Sequence, residues 1–440
     1  MIQPQINNMI QTKKAENRGL MGIENTVTAP QTHHQLIASV RRPTNLQELD
    51  GLLAEATRSC AVIFFTSPTC APCKLLYPLY DELAADAAQK ACLIMVDIMQ
   101  AYDISTKYGI QATPTFVTFL HGKQENQWAG ADRSMLRGNV QMLIQMAWPP
   151  HKHDSMRLPA FRMPGTKPVL YSKSPPLEKL KVKMGPTAES PAVAGVMHFI
   201  SKRTADGLAE STLPDLASFS KFLYAAPSML PAEVLFTVVD LLRAALADRR
   251  FSGYFAEEKN HRTIAHLLNH VSSLVNCPYS LRLVTLQAAC NLFSSPLYPE
   301  HILSCPTLTD PMAQLITTSL LDDKHHNIRV AAASLSFNIA AANSRIRSEE
   351  RRDTLPESIQ VELAASLLEA ISVEEESPEA LKGFLLAFGY LVYCASQDGE
   401  LVDLLKTMDA EGTVLAKKKL FPNEALIEEV GREMLGSGLD

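Results

Sequence analysis

Hydrophobic and polar positions follow two different rhythms along this chain. Between residues 41 and 148, short apolar runs such as Ala61-Val-Ile-Phe-Phe65 and Leu93-Ile-Met-Val-Asp97 alternate with stretches of helical spacing. Runs of that length bounded by polar residues read as buried strands, so the region predicts the order αβαβαββα. From Pro191 onward the period is helical almost throughout. Segments 191–203, 231–248, 260–275, 280–294, 310–322, 326–344, 356–372, 378–396 and 424–435 carry apolar residues at helical spacing. Pro214, Pro231, Pro278, Pro311, Pro356 and Pro378 are expected at or near helix starts, where a missing N–H does no harm. No convincing strand is read in this half.

Between the two regimes, residues 149–190 hold eight prolines (Pro149, Pro150, Pro159, Pro164, Pro168, Pro175, Pro176 and Pro186) and more basic than acidic residues. This composition predicts a semi-extended basic linker, with Tyr171 and Leu177 docking locally. Residues 1–40 are polar, without sustained periodicity, and read as a disordered arm or the remnant of a linker. The helical half also carries a weak repeat. Ala-Cys-Asn-Leu around Asn291 recurs as Ser-Phe-Asn-Ile around Asn338, 47 residues later (338 minus 291), and Leu385-Leu-Ala-Phe-Gly-Tyr-Leu391 follows at a similar interval. Repeats of about 40–47 residues are the mark of stacked armadillo or HEAT units. The fold class expected is an α/β domain followed by an all-α armadillo-like solenoid.

Composition adds little beyond this frame. With 440 residues, 46% hydrophobic and 20% charged, the chain is long enough for two or more globular cores. A net charge of -6 gives no reason to expect nucleic acid or an anionic membrane as the principal partner. No apolar run reaches the roughly 18–20 residues of a membrane span, and the N-terminus lacks the apolar core of a secretory signal. The expected setting is the cytoplasm, with the nucleus as a further possibility, and the expected state is a monomer. No cofactor and no metal are expected: His33-His34, His151-Lys-His153 and His325-His326 lack ligand spacing and read as solvated. Of eight cysteines only Cys70 and Cys73 form a motif pair; Cys60, Cys92, Cys277, Cys290, Cys305 and Cys394 read mostly as small buried hydrophobes.

Ser67-Pro-Thr-Cys70-Ala-Pro-Cys73-Lys74 carries the clearest chemistry. It follows a strand and opens a helix in which Leu75, Leu79, Leu83 and Ala87, one residue in four, are expected to mark the buried face. Unpaired N–H groups at the helix start stabilise a Cys70 thiolate, and Cys73 lies one turn on, placed to resolve a mixed disulfide. The surrounding residues resemble the thioredoxins. Cys-Ala-Pro-Cys-Lys stands where that family has Cys-Gly-Pro-Cys-Lys, Pro78 at its kink proline, and Ala112-Thr-Pro114-Thr-Phe116 at its cis-proline loop. The resemblance spans about 105 residues, and from it the cis state of Pro114 and a groove for an extended peptide are implied. The expected catalytic residues are therefore Cys70, Cys73 and Pro114. Two departures stand out: Thr69 replaces the tryptophan before the first cysteine, and Phe64 replaces a buried aspartate that moves protons during exchange. Loss of that general base is expected to slow resolution.

The helical half resembles the PUL domain, the armadillo-like module of the phospholipase-activating protein, over about 250 residues. The runs that carry the resemblance are Leu283 to Phe293, Asn327 to Asn338 and Glu379 to Gly389. It implies binding of the C-terminal tail of the valosin-containing AAA ATPase, which extracts ubiquitylated proteins. The pairing of the two domains also looks like a fungal architecture in which a PPPDE-type desumoylating or deubiquitylating peptidase precedes them; no catalytic Cys–His pair for one is found here. For peptide binding, an asparagine carboxamide offers donor and acceptor together, which suits Asn291 and Asn338 to clamping an extended backbone. Arg282, Lys324 and Arg329 are expected to meet acidic tail residues or a terminal carboxylate. Three roles follow: an adaptor of the ubiquitin–segregase system, a thiol–disulfide oxidoreductase acting on a client, or a fragment of a deconjugating peptidase.

Overall fold

A computed structural model of the chain describes residues 39–88, 90–162, 165–206 and 211–439. The arm expected over residues 1–40 lies almost wholly outside these. The chain divides into two compact units, one ending at His151 and the other beginning at Lys152. Among the described residues no helix is long and apolar enough to cross a membrane.

The first unit is built on a four-stranded sheet of order β2-β1-β3-β4. Its elements run α1 (Leu46–Glu55), β1 (Cys60–Thr66), α2 (Ala71–Lys74), α3 (Tyr77–Ala87), β2 (Ala91–Asp97), α4 (Tyr102–Lys107), β3 (Thr115–Leu120), β4 (Lys123–Ala129) and α5 (Arg133–Ala147). β1 and β2 pair parallel, β1 and β3 antiparallel, β3 and β4 antiparallel. β1 is buried along its whole length, which is why it reads as a continuous apolar run rather than an alternation. One sheet face packs under α3 and α5 through Phe64, Leu79, Tyr80, Phe116, Leu136 and Val140; the other carries Leu49, Ile63, Phe65 and Ile104.

One expectation fails here. Leu75 is 68% exposed, and the buried face begins instead at Leu76 and continues through Leu79, Tyr80, Leu83, Ala84 and Ala87. The helix is interrupted between Lys74 and Tyr77, and Pro78 sits in the first turn of α3, where no N–H is needed. The period of four, counted through that break, picked the wrong leucine.

The regular elements of the second unit are all helical among its described residues. After α6 (Lys152–Ser155) and α7 (Leu177–Met184) come α8 (Pro191–Asp206), α9 (Leu216–Met229), α10 (Ala232–Leu246), α11 (Arg249–Ala256), α12 (Arg262–Ser273), α13 (Tyr279–Leu292) and α14 (Tyr298–Ser304). These are followed by α15 (Pro306–Leu320), α16 (His326–Glu350), α17 (Glu357–Val373), α18 (Pro378–Val392), α19 (Glu400–Thr407), α20 (Ala410–Ala416) and a π-helical turn, Glu428–Gly436. Two layers result: α10, α13, α16 and α18 pack in succession, and α9, α12, α15 and α17 form a second row against them. This is the stacking that a 47-residue period implies. Pro311, expected at a helix start, lies inside α15, and Pro306 opens that helix instead.

The stretch 149–190 is not a free tether. From Lys152 it belongs to the helical unit, and Leu158, Phe161, Val169, Tyr171, Leu180 and Met184 are buried in that unit's core. Proline enrichment is expected to exclude both helix and core here, yet Lys152–Ser155 and Leu177–Met184 are helical and Gly185–Glu189 forms a 3-10 turn; the irregular backbone between them is buried where other elements satisfy its N–H and C=O groups. His153, expected to be solvated, is fully buried: its Nδ1 accepts from the Cys394 N–H at 2.9 Å, and its Nε2 lies 3.1 Å from the Met434 carbonyl.

Candidate functional sites

In the first unit, Cys70 caps the short helix α2 and is joined to Cys73 by a disulfide. The Cys73 N–H points at the Cys70 sulfur from 3.2 Å, the contact that would favour a thiolate once the bond is reduced. Cys70 is 7% exposed and Cys73 is fully covered, so an incoming sulfur meets Cys70 first. The Thr113–Pro114 peptide is cis, as the motif implied, and the Thr113 carbonyl oxygen lies 3.5 Å from the Cys70 sulfur. The three residues assigned to exchange chemistry are thus brought to one place.

The position expected to lack a proton carrier is aromatic in fact as well as in sequence. Phe64 is fully buried on β1, stacks on Phe116 with ring centroids 4.7 Å apart, and meets the edge of Tyr80 at 5.2 Å. Trp128 stacks on the other side of Phe116. The two tyrosine hydroxyls nearby are already engaged: Tyr80 donates within reach of the Val62 and Ile94 carbonyls, and Tyr77 pairs with Thr66. Burial holds the Tyr80 hydroxyl well above its ordinary range and pushes the Cys60 thiol up to about 12.

In the second unit, the five residues assigned to peptide binding separate into three groups. Asn291 and Asn338 do clamp an extended backbone, but it is the chain's own. Asn338 accepts from the Val169 N–H at 2.7 Å and donates to the Val169 carbonyl at 3.0 Å. Asn291 does the same to Tyr171, at 2.6 and 3.0 Å. Each carboxamide closes a two-bond ring on one residue; Val169 and Tyr171 are buried, Leu170 between them is half-buried and Ser172 is exposed. Both asparagines are buried, so they have no free edge for a second peptide. Arg329 is the second case: its guanidinium is ion-paired to Glu374 at 2.9 Å and donates to the Asp322 carbonyl, with only 12% of the side chain exposed. Arg282 and Lys324 are the third, half-buried and exposed respectively, near the N-terminal ends of α13 and α16.

Two members of this ladder were not anticipated. Arg243 on α10 is buried, braced by Asp240 at 2.6 Å, and donates to the carbonyls of Tyr171 and Lys173. Tyr390 on α18 pairs with Thr166 at 3.0 Å and donates to the Ala160 carbonyl. The strap 166–173 therefore runs across α18, α16, α13 and α10 in that order, opposite to the order of the helices. The signal for Arg243 was present: 291 minus 243 is 48, one repeat before Asn291.

Beside the strap lies an open cavity of about 400 Å³, lined by Lys167 and Pro168, by Ala341 and Arg345 of α16, and by Tyr390 and Tyr393. Lys167 and Arg345 are exposed at its edge.

Geometry defines two modules, a redox-type CxxC fold and a helical repeat with an internal strap. Comparison with known proteins gives both a family. The PUL domain model matches residues 163–433, strap included, and the chain belongs to the PUL domain family. The thioredoxin model matches residues 43–141, so its first unit is a thioredoxin domain. That unit is 38% identical over 87 residues to the thioredoxin of Mycoplasmoides gallisepticum, covering 20% of this chain and 84% of that protein. It is 27% identical over 105 residues to the thioredoxin of Gallus gallus, covering 24% of this chain and 99% of that one. Among solved structures, the thioredoxin of Malassezia sympodialis is similar at 26% identity, covering 26% of this chain and 99% of its own, with a TM-score of 0.23.

Proposed function

We propose that this protein is an adaptor whose PUL domain holds the C-terminal tail of a valosin-containing-type AAA ATPase while its thioredoxin domain engages a client protein. The observation that carries the reading is the match of residues 163–433 to the PUL family, whose expected partner is that tail. The asparagine ladder is satisfied internally, so the tail is assigned to the cavity beside the strap, where Lys167 and Arg345 supply positive charge for acidic residues or a terminal carboxylate. Calorimetry on the full-length chain with a peptide copying the ATPase C-terminus tests it. Micromolar or tighter binding is expected, and absence of any heat of binding would remove the adaptor reading.

A second reading, thiol–disulfide exchange through Cys70 and Cys73, is favoured by the placement of Cys70, the less covered of the two sulfurs, against the Thr113–Pro114 loop. Reduction of a protein disulfide by the full-length chain should be lost in Cys70→Ser. Equal rates for the two would exclude exchange through this motif.

A further inference from the structure

We infer that one rim of the helical stack is a docking surface for a basic amphipathic helix of about 20 residues. This partner is separate from the ATPase tail, and the inference does not depend on where that tail binds.

The rim emerges from the repeat register. The outer helices α9, α12, α15 and α17 pack side by side, so their C-terminal ends, and the loops that lead on into α10, α13, α16 and α18, lie along one rim. Contacts between repeats tie these loops together: the Tyr279 and His325 rings are 4.4 Å apart, and Arg329 reaches Glu374 at 2.9 Å. At the end of each outer helix one aliphatic side chain is left in water, Met229 at 57% exposure, Val275 at 93%, Leu321 at 40% and Val373 at 60%. Their spacings are 46 residues (275 minus 229), 46 (321 minus 275) and 52 (373 minus 321). The strap contacts step alike: 48 residues from Arg243 to Asn291 (291 minus 243), 47 to Asn338 (338 minus 291) and 52 to Tyr390 (390 minus 338). A single exposed apolar residue needs no explanation, but a row of them in register does. The opposite rim has no such row: in the loops after α10, α13, α16 and α18, Leu297 is the only large apolar side chain exposed among the described residues.

A cavity of about 250 Å³ opens on the same rim, between the end of α12 and the facing turns of α15. Leu274, Val275 and Leu315 give it apolar walls, so it has room and chemistry for one large aliphatic side chain. Charge and spacing identify what carries that side chain. Among the described residues of the four loops, the exposed charges are Glu233, Asp323, Glu375 and Glu376 against Lys324 alone. This excess attracts a basic partner and repels the acidic residues expected of the ATPase tail. Packed helices lie about 8–10 Å apart, so the four aliphatic side chains are spread over about 30 Å. Seven residues of an α-helix rise about 10.5 Å and return to nearly the same face. A helix laid across the stack therefore offers one aliphatic residue to each repeat from a heptad position, and about 20 residues cover the row. An extended strand shows the same face every two residues, about 7 Å, and falls out of step with it.

The test is fluorescence anisotropy with the full-length chain and a labelled, alanine-rich helical peptide of about 22 residues, with leucine at every seventh position and lysines beside the leucines. Binding is expected to be at least about tenfold tighter than that of two controls, one of equal composition with the leucines out of register and one with glutamate for each lysine. Val275→Ser combined with Val373→Ser should weaken it about tenfold or more with Tm unchanged, because both side chains already lie in water. Glu375→Lys combined with Glu376→Lys should weaken it too and flatten its dependence on salt. Equal binding of the out-of-register peptide would reduce the effect to charge and overturn the inference. Equal binding of the glutamate peptide, full affinity in the folded serine variant, or no binding of the heptad peptide would overturn it as well. Sedimentation of the chain alone supplies the last outcome: self-association that the two serines abolish would make the rim a contact between copies, and the helix would fall.

Discussion

Asn338 holds Val169 by both of its backbone groups, across 169 positions of sequence, through one carboxamide that accepts at 2.7 Å and donates at 3.0 Å. An asparagine on an armadillo-like inner helix is suited to gripping any extended peptide. Here the grip is closed on the chain itself, and the repeat at Asn291 and Tyr171 shows that it is a ladder rather than an isolated contact. Consequently these residues stabilise the domain.

Asn338→Ala should lower the stability of the helical unit by about 2–4 kcal/mol, because it removes both bonds to Val169 and a longer one to the Cys290 carbonyl, and leaves a buried N–H and C=O without partners. Asn291→Ala should cost at least as much, since its equivalent bond, to the Arg243 carbonyl, is shorter, 2.7 Å against 3.4 Å. Urea denaturation followed by circular dichroism measures the loss. Hydrogen exchange adds a local readout: the amides of Val169 and Tyr171 should be strongly protected in the unaltered chain and lose that protection selectively in the two variants.

Cutting the chain at residue 191 should do what both substitutions do and more. A 191–440 fragment lacks the strap, so Arg243, Asn291 and Asn338 lose their partners, and the pockets of Phe161, Val169 and Tyr171 open to water. A 152–440 fragment keeps all of these. The expected outcome is a cooperative melt for the longer fragment and, for the shorter, a lower Tm with increased binding of a hydrophobic dye. Matching melting curves would show that the strap adds no stability.

Gly389 on α18 makes a third test, since a Cβ there would collide with the Phe161 ring. Alanine is the better helix former by about 1 kcal/mol, yet Gly389→Ala should be destabilising, by about 1–3 kcal/mol, because overpacking displaces the ring from Tyr390 and Tyr393. Combining it with Phe161→Ala should cost less than the sum of the two single changes, which denaturation of the double-mutant cycle measures.

Stability should also carry a pH signature from Glu429. Burial raises the pKa of its carboxyl above the ordinary value, against the opposing effect of the hydrogen bond from the Ala160 N–H. A carboxyl raised on folding favours the folded state while protonated, so its contribution is fully present below about 4.5 and is lost as pH rises through its raised value. Glu429→Gln keeps an oxygen for the Ala160 N–H without the charge. The variant should therefore match or exceed the unaltered chain at pH 7 and lose that relative advantage at pH 4, as paired urea titrations at the two values would show.

How much of this was written locally decides how much the sequence disclosed. Cys70, Cys73 and Pro114 sit in short motifs, and the succession of strands and helices along the first unit followed from runs such as Ala61–Phe65, though the order of the strands within the sheet did not. Leu75 was misread because a break at Leu75 and Leu76 resets the helical phase; Pro78 was the signal for it, and the period of four was counted through it regardless. The strap was misread for a different reason. Its prolines and lysines describe an exposed tether, and what buries it are carboxamides 120 and 169 positions away. Arg243 drew no attention by residue type; only its place one repeat before Asn291 distinguishes it. Interactions set by the stacking of repeats become visible once the repeat register, rather than the residue type, is followed.

That register also decides which positive charges are available to a partner. Arg329 is spent on Glu374, and reversing it in Arg329→Glu would set two carboxylates together in a mostly buried site, an effect on folding before any on binding. Arg345 is different: it is exposed, and its ion pair to Glu349 at 3.7 Å is between side chains more than half exposed, which is worth little. Lys167 is exposed on the strap at the same cavity. The expected result is that Arg345→Glu and Lys167→Glu each weaken binding of the ATPase tail peptide about tenfold or more, with Tm unchanged, and that the weakening shrinks as salt is raised. Arg329→Glu should lower Tm first. If both exposed reversals left the affinity of a folded chain untouched in calorimetry, the tail would have to bind elsewhere, and Arg282 and Lys324 at the ends of α13 and α16 would be the next cations to reverse.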